Sequence, residues 1–189
     1  WGIDMVSAEL DAILKGARAA PFDPSVAESS LRERMDRMSD LFPAPAERAV
    51  TQVLLAGVPP ERLESGAAGP IVLYLHAGGY VMGSPKSHRH LAAKLAGDIS
   101  GEVFSLDYRM GPEAPFPAAL DDAVAAYREL AEKSAGREIF LAGDSAGGGL
   151  VFAAAVAIRD AGLPPPAGLV AISPWVNLGT ENASYDQLA

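Results

Sequence analysis

Cysteine is absent from all 189 residues. That excludes disulfides, a thiolate nucleophile and any Cys-ligated metal site, and it allows a reducing compartment without requiring one. Histidine is scarce, with His76, His88 and His90 the only 3. Basic residues fall short of acidic ones, 15 against 24, for a net charge of -9. That balance disfavours nucleic acid and anionic membrane surfaces as partners. No apolar run reaches the length of a membrane span and no signal peptide is visible at the start, so a cytoplasmic location is expected. The first residue is Trp1 rather than Met, and a trimmed natural N-terminus is the expectation. No internal repeat or low-complexity tract occurs. What is abundant is apolar residues, 49% of the chain, enough to fill one core and a small cap.

The pattern along the chain alternates helix and strand. Apolar residues at Met5, Val6, Leu10, Ile13 and Leu14 predict a helix over Met5 to Ala20. A second helix is expected from Pro24 to about Leu41, capped by Asp23, with a charged face that most simply meets solvent. Val50 to Val58 and Arg62–Leu63 read as a leading pair of strands joined at Pro59-Pro60. Ile71 to Leu75 is a continuous apolar run, the mark of a strand buried on both faces. Further strands are expected at Val103 to Leu106, Ile139 to Ala142 and Gly168 to Ser173. Helices are expected at Ser87 to Ala96, Ala118 to Lys133 and Leu150 to Ala161. Pro112, Pro115 and Pro117 are expected to keep their segment extended. Strand–helix alternation from Ile71 onward implies an α/β fold with a mostly parallel sheet.

One stretch carries the chemistry. Glu138 to Val151 reads EIFLAGDSAGGGLV, with Gly143-Asp144-Ser145-Ala146-Gly147 as a G-x-S-x-G between a strand and a helix. That context makes a nucleophile elbow of an otherwise weak pentapeptide. The glycines let two backbone segments pass closely, and Ser145 is held in a strained turn with Oγ aimed off the sheet. The helix start offers unpaired N–H groups, that of Ala146 among them, to a developing oxyanion. The competing reading is a glycine-rich helix entry with an incidental serine. Two other strand ends, HAGG from His76 and DYRMGPEAPFP from Asp107, should meet the elbow outside the carboxyl edge of the sheet.

HAGGYVMGS, DYRMGPEAPFPAALDD and GDSAGGGL together resemble the hormone-sensitive-lipase-like (bacterial family IV) esterases of the α/β-hydrolase fold. The wording from Pro70 to Leu95 is most similar to bacterial monoterpene lactone hydrolases. The resemblance implies an α/β-hydrolase core over 46–189, helices on both faces of the sheet, and an N-terminal helical cap over 1–45. It implies Ser145 as nucleophile, the N–H groups of Gly78, Gly79 and Ala146 as oxyanion hole, no cofactor and no metal. His76 is then a brace for the glycine loop rather than the base, because triad order in this fold puts the histidine after the serine. Ala77 replaces the family's first loop glycine. His88 and His90 are expected to be exposed or structural, Asp144 to point away from the chemistry, and Asp107, Arg109 and Glu113 to form a structural ion network.

The rest of the triad is missing from the pattern. After Ser145 the acids are Asp160, Glu181 and Asp186, none in the family's acid motif, and no histidine follows. The expectation is therefore a fragment of a carboxylic-ester hydrolase that forms a serine acyl-enzyme on a small-molecule ester or lactone, its C-terminal portion missing or replaced by homodimer pairing. The alternative is a catalytically inactive small-ligand-binding protein on the same fold, as in plant gibberellin receptors.

Overall fold

A computed structural model describes residues 7, 8, 11, 15, 28–39, 49–66 and 68–179. The elements run α1 (Glu28–Met38), β1 (Ala49–Gln52), β2 (Pro60–Glu64), β3 (Ile71–Leu75), α2 (Pro85–Asp98), β4 (Glu102–Leu106), α3 (Ala118–Lys133), β5 (Ile139–Asp144), α4 (Ala146–Asp160) and β6 (Gly168–Ile172). The sheet order is β1-β2-β4-β3-β5-β6. β1 and β2 pair antiparallel to each other, and β2 antiparallel to β4; β4, β3, β5 and β6 are mutually parallel.

β3 lies at the centre because its sequence can be buried on both sides. All five of its residues are enclosed. Ile71, Leu73 and Leu75 pack with Tyr127 of α3 and with Leu150, Val151 and Ile158 of α4 on one face. Val72 and Tyr74 pack against Ala92, Ala93 and Ala96 of α2 on the other. Each large apolar side chain so enclosed contributes about 1.5–3 kcal/mol, and the small alanines let α2 lie close to the sheet. α2 begins at a capping box: the Ser84 hydroxyl accepts from the Ser87 N–H, and Ser87 Oγ accepts from the Ser84 N–H.

Several boundaries differ from the sequence expectation. The leading strand is short, because Leu55 and Val58 close a tight turn on each other, and Pro60 begins β2 instead of joining two strands. The second helix is described only from Glu28 to Met38, so its start at Asp23-Pro24 lies outside the described residues. Most of the expected helix over Met5 to Ala20 lies outside them too. The proline segment after β4 turns rather than runs extended, since the Gly111 N–H donates to Tyr80 O at 2.8 Å and the Ala114 N–H to Met110 O at 2.9 Å.

Candidate active site

β5 delivers the chain to Ser145, which has φ 51° and ψ −117°, and α4 starts at the next residue. A serine held there is strained by about 1–3 kcal/mol, so something must hold it. β6 does: the Ser145 N–H donates to Ile172 O at 2.9 Å, and its carbonyl accepts from the Trp175 N–H at 2.8 Å and the Gly149 N–H at 3.1 Å. Serine before a helix commonly caps it, but Ser145 makes no capping bond. Its hydroxyl is exposed and has no hydrogen-bond partner among the described residues. The turn is tight enough to require Gly147, where a Cβ would come within 2.0 Å of Leu75 O and 2.6 Å of His76 O. The start of α4 is thus pressed against the end of β3.

From that end the second stretch departs. Leu75 pairs with Gly143 in the parallel register, so the chains leaving β3 and β5 run out side by side, one to His76–Gly79 and the other to Ser145–Ala146. Gly78 has φ +132° and Gly79 φ +63°. The Gly78 carbonyl accepts from the N–H groups of Val81 at 3.1 Å and Met82 at 3.0 Å. In a trans peptide C=O and N–H point oppositely, so the Gly79 N–H faces away from the turn. The N–H groups of Gly78, Gly79 and Ala146 have no hydrogen-bond partner among the described residues.

Beneath this loop is a packed cluster of rings. His76 is fully buried. Its ring stacks on Tyr108 at a centroid distance of 4.3 Å and on His88 at 5.5 Å. Nδ1 lies 2.8 Å from Ala77 O, which can only accept, so Nδ1 carries the proton. Nε2 is enclosed without a partner among the described residues. Burial lowers the His76 pKa to about 4, and the ring makes no hydrogen bond to Ser145. Tyr108 donates to His76 O at 2.7 Å, fixing the backbone as well as the ring. Asp144 accepts from Tyr74 Oη at 2.7 Å and has His88 Nε2 at 3.7 Å. Burial pushes the Asp144 carboxyl up, but His88, Tyr74 and the Ala77 amide outweigh it and hold the group below its ordinary value. His88 is accordingly one-tenth exposed and part of this cluster, not a surface residue.

The third stretch does not form the expected network among its own charges. Arg109 pairs instead with Asp122, Nη2 to Oδ1 at 2.7 Å, while Asp122 Oδ2 also accepts the Arg109 N–H at 2.8 Å. Glu113 is gripped by Arg32 of α1. Asp107 pairs with neither, and burial together with the nearby Asp36 and Glu61 raises its pKa. Arg32 and Asp122 went unnoticed in the sequence because both partners lie far along the chain or across a turn. Tyr80 and Val81 from the glycine loop join Phe116, Leu120, Leu150 and Leu178 around an apolar cleft of about 290 Å³. No described residue of α1 lines it. Asp160 is exposed and pairs with Arg159 at the end of α4, so it does not serve Ser145; Glu181 and Asp186 lie outside the described residues. Among the described residues no cluster of His, Asp and Glu is placed to hold a metal ion, and no helix is long and apolar enough to cross a membrane.

Comparison with known proteins gives a consistent set. A family profile described as the alpha/beta hydrolase fold matches residues 72–189. An acetyl-hydrolase of Streptomyces hygroscopicus is 56% identical over 119 residues, 62% of this chain and 40% of that protein. An esterase of Mycobacterium tuberculosis is 36% identical over 169 residues, 81% of this chain and 52% of that protein. The crystal structure of an esterase from the bacterial hormone-sensitive lipase family superposes with a TM-score of 0.86 at 39% identity, covering 96% of this chain and 62% of that one. The chain spans about half the length of the relatives it matches in sequence.

Proposed function

Because this chain belongs to the α/β-hydrolase fold family, among its hormone-sensitive-lipase-like esterases, we propose that the whole protein is a carboxylic-ester hydrolase. It acts through a serine acyl-enzyme on small to medium acyl esters or lactones. The observation that carries this reading is Ser145 itself: a strained, exposed serine whose hydroxyl is not used for capping, beside a glycine turn with unpaired amides. Ser145 Oγ attacks the ester carbonyl carbon, and its proton passes to a general base. The carbonyl oxygen becomes an alkoxide, which accepts from the N–H groups of Gly78, Gly79 and Ala146. Each such donor is typically worth roughly 3 kcal/mol of barrier. Collapse expels the alcohol with a proton, and water then releases the acid from Ser145. The apolar cleft beside Tyr80 and Leu150 receives the hydrophobic part of the substrate.

The base and its carboxylate partner are assigned to the portion of the relatives' length that this chain does not span. His76 is kept as the brace of the glycine loop, and the cytoplasmic location expected from the sequence stays part of the proposal. The test uses the complete protein and p-nitrophenyl butyrate. Wild type should turn over, label with a fluorophosphonate and show the mass increment on the Ser145 peptide. Ser145→Ala should lose both activities. Turnover that survives Ser145→Ala overturns the nucleophile. A wild type that neither turns over nor labels, yet binds small apolar ligands, is the inactive binding protein.

A further inference from the structure

α1 is tied to the glycine turn by a single side chain, and the tie ends on peptide carbonyls rather than on a charge alone. Arg32 is partly enclosed. Its Nε donates to Val81 O at 2.7 Å and its Nη2 to Gly111 O at 2.7 Å. Nη1 and Nη2 also grip both carboxylate oxygens of Glu113, at 2.9 and 2.8 Å. The fork of the guanidinium suits this use, because it is planar, always charged and presents donors in fixed directions.

The two carbonyls lead to the turn that carries the amides. Val81 lies two residues beyond Gly79, and its N–H is one of the two that hold the Gly78 carbonyl. That carbonyl and the Gly79 N–H belong to one rigid peptide plane, so whatever fixes the first aims the second. Gly111 adds a second strut: its N–H donates to Tyr80 O at 2.8 Å while its carbonyl accepts from Arg32. The carbonyls of Tyr80 and Val81, the two residues after the glycine pair, are thus both held. Arg32 holds one directly and the other through Gly111. Ser84 Oγ reaching Asp36 Oδ1 of α1 fastens the far end of the same loop.

We propose that Arg32 is a positioning residue for the oxyanion amides: by clamping Val81 and Gly111 it fixes the plane of the Gly78–Gly79 peptide against Ser145. This rests on the esterase reading given above. It gives α1 a role in the chemistry without contact with substrate. A well-aimed donor matters most when the oxygen carries its full charge, and least in the ground state. Loosening the clamp should therefore lower kcat and leave KM nearly unchanged.

The experiment is steady-state kinetics of the complete enzyme on p-nitrophenyl butyrate, with a trifluoromethyl ketone as transition-state analogue. Arg32→Ala is expected to lower kcat about ten-fold, less than the 10²–10³-fold typical of deleting a donor. KM should change by less than about two-fold, and analogue affinity should fall in step with kcat/KM. Arg32→Lys keeps the charge but not the fork, and should recover only part of the loss. Glu113→Gln leaves the bonds to Val81 and Gly111 in place and should stay within about two-fold of wild type. Thermal unfolding of each variant separates loss of fold from loss of positioning. If Arg32→Ala stays folded with unchanged kcat, or if Glu113→Gln costs as much as Arg32→Ala, the clamp is only an ion pair holding α1 and the proposal fails. Loss of Ser145 labelling in wild type would instead remove the esterase reading beneath it.

Discussion

At the scale of single residues, His76 shows how burial sets chemistry. Its ring is closed in by Tyr108 and His88, one nitrogen donates to Ala77 O, and the other has no acceptor among the described residues. A second proton would be both buried and unpaired, which is why the pKa falls to about 4. The linkage has a definite sign. Unfolded, the imidazole titrates near about 6.5; folded, it stays neutral until about pH 4. Between those values the unfolded chain binds the extra proton, so stability falls as pH drops through the window and is full above it. The part due to His76 is at most about 3 kcal/mol. His76→Gln can still donate to Ala77 O but cannot take the proton. Urea unfolding of the complete protein at pH 7.5 and pH 4.5 should show a smaller acid loss in the variant than in wild type. Equal losses would assign the acid sensitivity to other groups. The same enclosure makes His76 a poor proton acceptor for Ser145 at neutral pH.

At the scale of elements, the important feature is how closely α4 approaches β3. A methyl group at position 147 would meet Leu75 O, Leu75 C and His76 O at 2.0 to 2.6 Å. Those are backbone atoms of a central strand, so the helix must yield. Gly147→Ala should destabilise the complete protein by about 1–3 kcal/mol and lower turnover more than binding, because Ser145 and Ala146 move with the helix start. Equilibrium unfolding paired with kcat and KM checks both. An unchanged melting temperature would mean that the approach is looser than described. The elements around this contact were legible in the sequence: IVLYL could only be a strand buried on both faces, and an apolar run, G-x-S-x-G and an alanine-rich stretch could only be strand, turn and helix. What escaped was whatever depended on partners distant in the chain. Arg32 looked like one charge on a solvated face, because nothing local reveals that Val81, Gly111 and Glu113 converge on it. Arg109 sat beside two acids in sequence, yet Asp122, one turn into α3, presents both oxygens to it. The proline segment defeated the local rule because hydrogen bonds to Tyr80 and Met110 closed it into turns.

At the scale of the whole molecule, the two flanks of the sheet differ. On the β1 side the strands are short and antiparallel, and charges guard them: Arg62 reaches both Glu64 and Glu102, and Arg89 grips Glu61. On the β6 side, Leu169, Val170 and Ile172 are 40, 50 and 49% exposed, and Phe152 and Val156 of α4 add 43 and 49%. Such a surface on a terminal strand invites another strand or chain. Expressed alone, a polypeptide of these 189 residues is expected to be insoluble or to associate through this flank. Light scattering and sedimentation check that, and a monodisperse monomer with cooperative unfolding would show the flank to be closed in another way. Val170→Lys and Ile172→Lys together should then raise the soluble fraction. The bonds from β6 to the elbow carry a further consequence, one of biosynthetic timing. Ser145 keeps its strained backbone only while Ile172 and Trp175 hold it, and both follow it by nearly thirty residues. A chain emerging from the ribosome passes its serine into the cell as ordinary relaxed peptide, and the reactive geometry arrives only when β6 has docked.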